Sequence, residues 1–370
     1  MFFIIALLIY LIANAYVIIR ALAVIPTGFA ALKTCFAVIL ILLALSFIVS
    51  MLPQTEKICP QCLKILQPIG STWLFSLLYI VPTLILIDII RILNRYLHFL
   101  PFLNTHSQAA GLITAAAIVV SLICIFALGY AKFNKPSVVE LKIHSNKDTA
   151  RFPRILAASD LHFGYILSAK RAEEFVNIIN EQRPDVVLLC GDIFDRSLKP
   201  VEAANIPAIL RKINAPLGTY AVFGNHEYYG NPSRAAQLLK DAGITLLRDS
   251  VVKITDDICL VGRDDKTNPQ RQNLARLTAD VDKSNFIIVL DHQPSNLHEA
   301  QTSQADLQLS GHTHDGQIFP INLLTRRLYE QSYGYYCKGL TQYYITSGLG
   351  LWGSPYRIGT RSEVVLITKQ

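Results

Sequence analysis

Charge is what this sequence has least of. Only 16% of its 370 residues are Asp, Glu, Lys or Arg, against about a quarter in ordinary soluble domains. With 52% hydrophobic residues and a mean hydropathy of +0.36, a single soluble globule is excluded. The deficit is local. Residues 1–130 carry eight charged side chains, namely Arg20, Lys33, Glu56, Lys57, Lys64, Asp88, Arg91 and Arg95. Taking these six bases and two acids from the totals of 34 and 27 leaves 28 bases against 25 acids in the remainder. So slight an excess gives no nucleic-acid-binding surface. Internal repeats and low-complexity tracts are absent as well, which excludes solenoids and disordered tails.

Seven cysteines are scattered through the chain, and only Cys59 and Cys62, in the run CPQC, form a short-range pair. Structural zinc usually needs a second pair, and a thioredoxin-like centre needs a βαβ context, so the pair reads as a loop disulfide or as two unpaired thiols. Cys35, Cys124 and Cys190 fall in apolar runs and read as packing residues.

What is present in the first part is apolar sequence in long runs. Phe2 to Ile19, Thr34 to Leu52, Gly70 to Ile90 and Ala109 to Tyr130 are each long enough to cross a hydrocarbon core, which takes about 20 helical residues. The first run has no basic segment before it and has Arg20 behind it, so it reads as a retained anchor rather than a cleaved signal. Pro82 within the third run is tolerable in lipid. Asp88 is the one acid within a span, and Arg91 three residues on reads as its helix-end partner. Buried charges of the kind transport machinery keeps are otherwise missing, so residues 1–130 read as a four-helix transmembrane anchor in contact with the lipid bilayer. An even number of spans puts the loop at 53–69 on the same side as the C-terminal part. The bare N-terminus and Arg20 favour an extracytoplasmic location for that part.

Residues 131–150 read as a linker with a possible first edge strand, and 151–370 as an α/β domain. Short β-branched runs alternate with amphipathic helices such as Ser168 to Gln182, whose Ala172, Phe175, Val176 and Ile179 share one face. Five runs end in the same kind of residue. RILAAS (154–159) leads into Asp160-Leu161-His162; VVLLC (186–190) into Gly191-Asp192; TYAVF (219–223) into Gly224-Asn225-His226-Glu227; FIIVL (286–290) into Asp291-His292; and the run ending at Ser310 into Gly311-His312-Thr313-His314. Ligands of α/β sheets bind at the carboxyl ends of the strands, so five segments deliver Asp, Asn and His to one crevice. That donor mixture suits Mn²⁺, Fe²⁺ or Zn²⁺ better than the all-oxygen sites of Mg²⁺ or Ca²⁺. Two ions need a bridging carboxylate, and Asp192 is the natural bridge. Such a pair polarises a phosphoryl oxygen and activates water near neutral pH.

These motifs, D160-L-H162, G191-D192-I-F-D195, G224-N225-H226-E227, H292 and G311-H312-T-H314, resemble the signature of calcineurin-like metallophosphoesterases over residues 151–370. The resemblance implies an α/β/β/α two-sheet sandwich, two divalent metal ions and a phosphoester substrate. It implies that one ion takes Asp160, His162, Asp192 and His314, and the other Asp192, Asn225, His292 and His312. His226 is then the non-ligand histidine that supports the transition state or protonates the leaving oxygen. Glu227 stands where relatives often have Asp.

Together with the apolar N-terminal part, the arrangement is similar to the group of transmembrane proteins with a metallophosphoesterase domain, and more remotely to UDP-2,3-diacylglucosamine hydrolases. The expected substrate is a phosphomono-, phosphodi- or pyrophosphate ester: a lipid-linked one if the helices bring the site to the head groups, a soluble nucleotide or a cell-wall phosphodiester if they merely tether the domain. The rival expectation is a non-hydrolytic metal-binding signalling or scaffold module coupled to the membrane helices, whose mark would be a missing ligand or a missing His226. Outside the motifs, His144 and His298 read as surface residues. Asp195 is expected either to hydrogen-bond a ligating histidine or to cap a helix. The Tyr-rich stretch Leu328 to Tyr344 covers a sheet or forms an aromatic rim facing the bilayer. Of Arg326, Arg327 and Arg357, the last is the preferred substrate-binding arginine, pairing with phosphate oxygens.

Overall fold

The computed structural model describes residues 2–98, 108–147, 149 and 151–370. It divides into two compact units, Met1–Leu128 and Gly129–Gln370. Among the described residues, four helices are long and apolar enough to cross a membrane: Ile4–Ala23, Ala30–Met51, Pro60–Leu97 and Gln108–Phe133. Their outward side chains are mostly Ile, Leu, Val and Phe, as lipid exposure requires. Tyr10, Val17, Leu40, Trp73, Leu77 and Ile80 form the interior of the first unit. The polar groups there satisfy one another: Trp73 Nε1 donates to Asn14 Oδ1 at 2.7 Å, and Asn14 Nδ2 donates to the Tyr10 carbonyl at 2.8 Å. In a medium without water, this pairing is what makes buried polar side chains tolerable.

Two expectations change in this unit. The third span is a 38-residue helix rather than a run of about twenty, and Pro68 and Pro82 lie inside it without ending it. Asp88 does not pair with Arg91 three residues on. It accepts from Arg20 and from the Tyr16 hydroxyl of the first helix, since a neighbouring helix offers a cation and a hydroxyl where the next turn offers one flexible side chain. Cys59 and Cys62 are joined as a disulfide at the start of the third long helix.

The second unit holds two six-stranded sheets. The first contains β1 (Ser137–Ile143), β2 (Ile155–Ala158), β3 (Val186–Cys190), β4 (Thr219–Val222), β5 (Thr245–Leu246) and β12 (Glu363–Lys369), in the order β1-β12-β2-β3-β4-β5. The second contains β6 (Ser250–Thr255), β7 (Ile258–Gly262), β8 (Phe286–Leu290), β9 (Leu307–Ser310), β10 (Gly334–Lys338) and β11 (Thr341–Ile345), in the order β10-β11-β9-β8-β7-β6. β2 to β5 run parallel in the first sheet, as do β7, β8, β9 and β11 in the second. The stretch expected as a linker therefore contributes structure: Phe133 is fully buried and β1 pairs with β12 along its length.

The two-residue period of the strands builds the layers. Along β2 and β3, Ile155, Ala157, Val186 and Leu188 face the other sheet, meeting Ile258, Leu260, Ile288 and Leu309. Leu156, Ala158, Val187 and Leu189 point the opposite way, onto the helix Ala169–Glu181 through Ala172, Phe175, Val176 and Ile179. Across the second sheet, Val261, Ile287 and Val289 pack on the helical residues Leu297 and Ala300. The result is the helix–sheet–sheet–helix sandwich anticipated from the motifs, with β3 and β8 buried on both faces. Tyr343 and Tyr344 are buried on β11, so part of the Tyr-rich stretch is sheet covering. This strand order gathers the motif-bearing ends, because β2, β3 and β4 in one sheet and β8 and β9 in the other all finish at the same edge of the sandwich.

Candidate metal centre

Three of those five strands, β2, β3 and β9, hand over to turns that enter the left-handed region, while after β4 the chain stays extended at Gly224 before a short helix begins at Asn225. Asp160, His162, Asp192, His312 and His314 all have φ between 46° and 71°, the left-handed region that costs a non-glycine residue roughly 1–3 kcal/mol. Asp and His are among the side chains that tolerate it best. Such turns aim consecutive polar side chains at one point, and two glycines leave the room. A Cβ on Gly224 would overlap the Asp192 carboxylate, and one on Gly311 would overlap Ser159 and the Asp160 carboxylate.

Backbone amides then fix the carboxylates. The His312 N–H donates to Asp160 at 3.1 Å, and the His226 N–H donates to Asp192 Oδ1 at 2.9 Å. His292 Nδ1 donates to the Cys190 carbonyl at 2.7 Å, so Nε2 is the nitrogen turned toward the carboxylates, and although burial works the other way, the Asp192 carboxylate beside it holds the ring well above its ordinary value. That Nε2 lies 3.1 Å from Asp192 Oδ2, while His162 Nε2 lies 3.7 Å from the same oxygen on its other side. His314 Nε2 is 3.4 Å from Asp160 Oδ1 and 3.2 Å from His162 Nε2. His312 Nδ1 is 2.8 Å from Asn225 Oδ1.

Among the described residues three groups have their ligand atoms within 4.8 Å of one another: Asp160-His162-His314, Asp192-His292-His312, and His162-Asp195-His226 at the edge; the first two consist of residues expected as ligands. Asp192 Oδ2 stands between those two. All seven side chains anticipated as ligands are thus brought together, from four turns and the segment after β8.

The donor chemistry fits divalent cations. Burial drives the imidazole of His162 down to about 3 and that of His312 to about 4, and holds His314 well below its ordinary value. Neutral rings offer lone pairs. Burial also raises Asp160 to about 6, whereas Asp192, although burial opposes its ionisation, is held well below the usual carboxylate range by the neighbouring His292. His292 Nε2 has no well-aligned hydrogen bond, nor have the second ring nitrogens of His162 and His314. Buried polar atoms are rarely left so, and clusters of neutral imidazole, carboxylate and amide oxygen answer the need of a borderline divalent ion.

His226 sits at the edge of this group, its ring 4.5 Å from that of His162 between centroids. Its Nδ1 is 2.8 Å from Asp195 Oδ1. Although burial works the other way, the Asp195 hydrogen bond raises His226 to about 9, and Asp195 itself falls to about 2. Asp195 therefore orients His226, the histidine expected to stand outside the ligand set, and does not cap a helix.

Two further residues bear on the site. Glu227, read only as a variation on the motif, is buried and accepts backbone N–H bonds from Gly224 at 2.8 Å, Phe194 at 2.9 Å and Asp192 at 3.2 Å. It ties the β3 and β4 turns together. Its signal in the sequence was an acid among residues otherwise accounted for.

Arg357 requires a correction. It is 1% exposed, and its guanidinium donates to the carbonyls of His314 (2.9 Å), Ser347 (2.7 Å), Gly348 (3.1 Å) and Gly350 (2.6 Å) and to Ser362 Oγ (3.3 Å). Its three nitrogens are all engaged by the protein itself, and burial keeps the group from presenting the exposed fork that a phosphate would need. Burial lowers even this guanidinium to about 10. Its function is to hold the turn carrying His314.

Residues 153–316 match the family model described as calcineurin-like phosphoesterase. An uncharacterized metallophosphoesterase of Helicobacter pylori (strain ATCC 700392 / 26695) is 33% identical over 247 residues, covering 64% of this chain and 65% of that protein. One of Aquifex aeolicus is 31% identical over 222 residues, covering 58% and 84%. The transmembrane protein with metallophosphoesterase domain of Danio rerio is 32% identical over 275 residues, covering 69% and 62%. The chain belongs to the calcineurin-like phosphoesterase family. It spans just under two thirds, 65%, of the length of the first of these relatives.

Proposed function

We propose that the protein is a metal-dependent phosphoester hydrolase, anchored in a membrane by its four apolar helices. The observation that carries this reading is the convergence of Asp160, His162, Asp192, Asn225, His292, His312 and His314, with Asp192 Oδ2 between the two groups and buried ring nitrogens left unpaired. Asp160, His162, Asp192 and His314 would hold one divalent cation, and Asp192, Asn225, His292 and His312 the other. When bound, the pair supplies Lewis-acid stabilisation of charge on the phosphoryl oxygens and activates water near neutral pH.

The side chains do the rest. The strained turns hold the carboxylates and imidazoles in place before substrate arrives, so that no reorganisation is needed as charge develops. His226, fixed by Asp195 in one tautomer with Nε2 turned away from the carboxylate, delivers a proton to the leaving oxygen. Its presence beside a complete ligand set is what favours hydrolysis over a metal-binding scaffold. Of the phosphoesters such a site takes, a lipid-linked one suits a domain joined to four spans, and Mn²⁺, Fe²⁺ and Zn²⁺ suit the donors. The disulfide between Cys59 and Cys62 supports an extracytoplasmic domain, because spans of even number put that turn on the domain's side and disulfides persist in oxidising compartments.

The full chain, purified in detergent and loaded in turn with each metal, should be tested on an aryl phosphodiester, an aryl phosphomonoester and a panel of lipid phosphoesters. Hydrolysis should require added metal. Asp192→Asn and His226→Ala should each lower kcat by roughly 100-fold or more. Parent-like hydrolysis by both variants would overturn the proposal.

A further inference from the structure

The helix Ile321–Leu328 is amphipathic in the wrong sense for a domain core. Its polar Asn322 is buried, while Leu323, Leu324 and Leu328 are 55%, 57% and 68% exposed. At 100° per residue these three leucines and Ile321 fall on one side of the helix, opposite Asn322. Phe319, just before the helix, is 47% exposed. Arg326 and Arg327 are both exposed; on the same wheel Arg326 lies at the edge of the apolar stripe beside Leu323, and Arg327 falls within it between Leu323 and Leu324. A contiguous outward-facing group of large apolar side chains beside two cations calls for a partner that is apolar within and anionic at its surface.

The domain's own connectivity says which partner lies nearby. The second unit begins at Gly129, in the last turn of a helix long and apolar enough to cross a membrane. That turn lies against Tyr356 and Ile358, and the Gly129 carbonyl accepts from the Arg357 N–H at 3.1 Å. Ile358 in turn bridges to Ile318, and its carbonyl accepts from the Phe319 N–H at 2.8 Å. Residues 356–358 therefore join the point at which the chain enters the domain to the segment that leads into the helix Ile321–Leu328. The chain enters the domain here directly from a helix long and apolar enough to cross a membrane, so the covalent connection alone makes a bilayer the nearest candidate partner.

The inner side of the same helix abuts the metal-ligand turn. Gly316 packs directly against the backbone of Asn322, and Asp315 Oδ1 is 3.8 Å from the Arg326 guanidinium. The ring of Tyr329 stands 6.2 Å from that of His312.

We infer that the helix Ile321–Leu328 is a membrane-surface element, which lays Leu323, Leu324 and Leu328 into the boundary between headgroups and acyl chains and sets Arg327 among anionic lipid headgroups. It seats the edge of the domain next to His312 and His314 on the bilayer. The inference rests on the domain's geometry alone; the phosphoesterase reading adds that substrate would be met at headgroup depth.

Depth measurement on the full chain in lipid nanodiscs of mixed phosphatidylcholine and phosphatidylglycerol tests this. A nitroxide label is placed through Leu324→Cys, and separately through Lys240→Cys on the exposed side of the helix Pro232–Asp241, with Cys35, Cys124 and Cys337 replaced by Ala. The ratio of oxygen to nickel-chelate accessibility should be ~3-fold or more higher at 324 than at 240, and Arg327→Glu should lower it in anionic discs but not in pure phosphatidylcholine. Equal ratios at the two positions would overturn the inference. So would low accessibility to both reagents at 324, the mark of a protein contact. Hydrolysis of a soluble aryl phosphodiester by the Leu323→Ser/Leu328→Ser variant carrying the label at Leu324→Cys separates the two ideas: the labelled parent's rate with immersion at 324 lost supports the inference. If the parent chain itself hydrolyses nothing while position 324 remains immersed, the phosphoesterase reading fails and the membrane-surface inference is supported.

Discussion

Replacing Arg357 separates a substrate arginine from a structural one. In the Arg357→Met variant the carbonyls of Ser347 and Gly350 lose their donor together, while those of His314 and Gly348 keep the backbone N–H groups of Gln317 (2.9 Å) and Glu363 (3.1 Å). A buried acceptor left without a partner costs about 1–3 kcal/mol. Two of them, with water reaching one as the loop relaxes, amount to roughly 2–4 kcal/mol, a large loss for a single residue. A domain of this size loses about 2–4 °C of Tm per kcal/mol, so thermal unfolding of the full chain in detergent should fall by about 10 °C. At temperatures where the variant is still folded, the turn carrying His314 is slackened, so metal content and kcat should fall together while KM for an aryl phosphodiester stays within about twofold. Arg357→Lys should recover only part of the Tm, because an ammonium cannot reach four carbonyls in the plane of a guanidinium. A variant with the parent's Tm and a KM raised tenfold would refute the reasoning and return Arg357 to the substrate.

Asp195→Asn should lower kcat by about 10- to 100-fold with bound metal unchanged, measured by activity and elemental content on one preparation, because it loosens His226 without touching a ligand. Asp264 tests the acid limb of stability. Burial opposes its ionisation, but hydrogen bonds from Tyr228, Arg248 and Asn268 hold its carboxyl below the ordinary value. A carboxyl depressed in the folded state stabilises above its unfolded pKa and loses that contribution as pH falls through the folded one. The Tm gap between the parent and Asp264→Asn should therefore be widest at neutral pH and close on acidification below about pH 4. A gap independent of pH would show that the carboxylate charge contributes nothing. Chelation should lower the Tm of the parent, since a ligand in excess over its dissociation constant by 1,000-fold stabilises by about 4 kcal/mol, and should leave that of Asp192→Asn nearly unmoved.

The parts that could be read from the sequence are those set by local chemistry. Runs such as VVLLC and FIIVL are strands because β-branched and aliphatic residues fill a pleated layer on both faces, and the residue after each run names its chemistry without further information. The helix from Ala169 to Glu181 showed its buried face in its spacing. Asp195 and Glu227 were only half visible. An acid close behind a ligand marks a supporting group, but the partner it supports lies 31 or more residues away, at His226 for Asp195 and at Asp192 for Glu227. Asp88 was misassigned for the same reason: the nearest cation along the chain was preferred to one 68 residues off that a second helix brings closer.

By itself the sequence determined four stretches that lipid would accept, a run of strands with metal-binding residues at their ends, and a donor set suited to borderline cations. Those follow from composition and from periods of 2 and 3.6, which each segment carries alone. Tertiary structure decided that the five strand ends come from two different sheets, that Asp192 stands between two groups of histidines, that Arg357 is spent on backbone carbonyls and that the leucines of Ile321–Leu328 face outward. Each of these depends on which surfaces pack together, and packing is settled by the whole set of buried side chains competing for the same volume, not by any one stretch of residues.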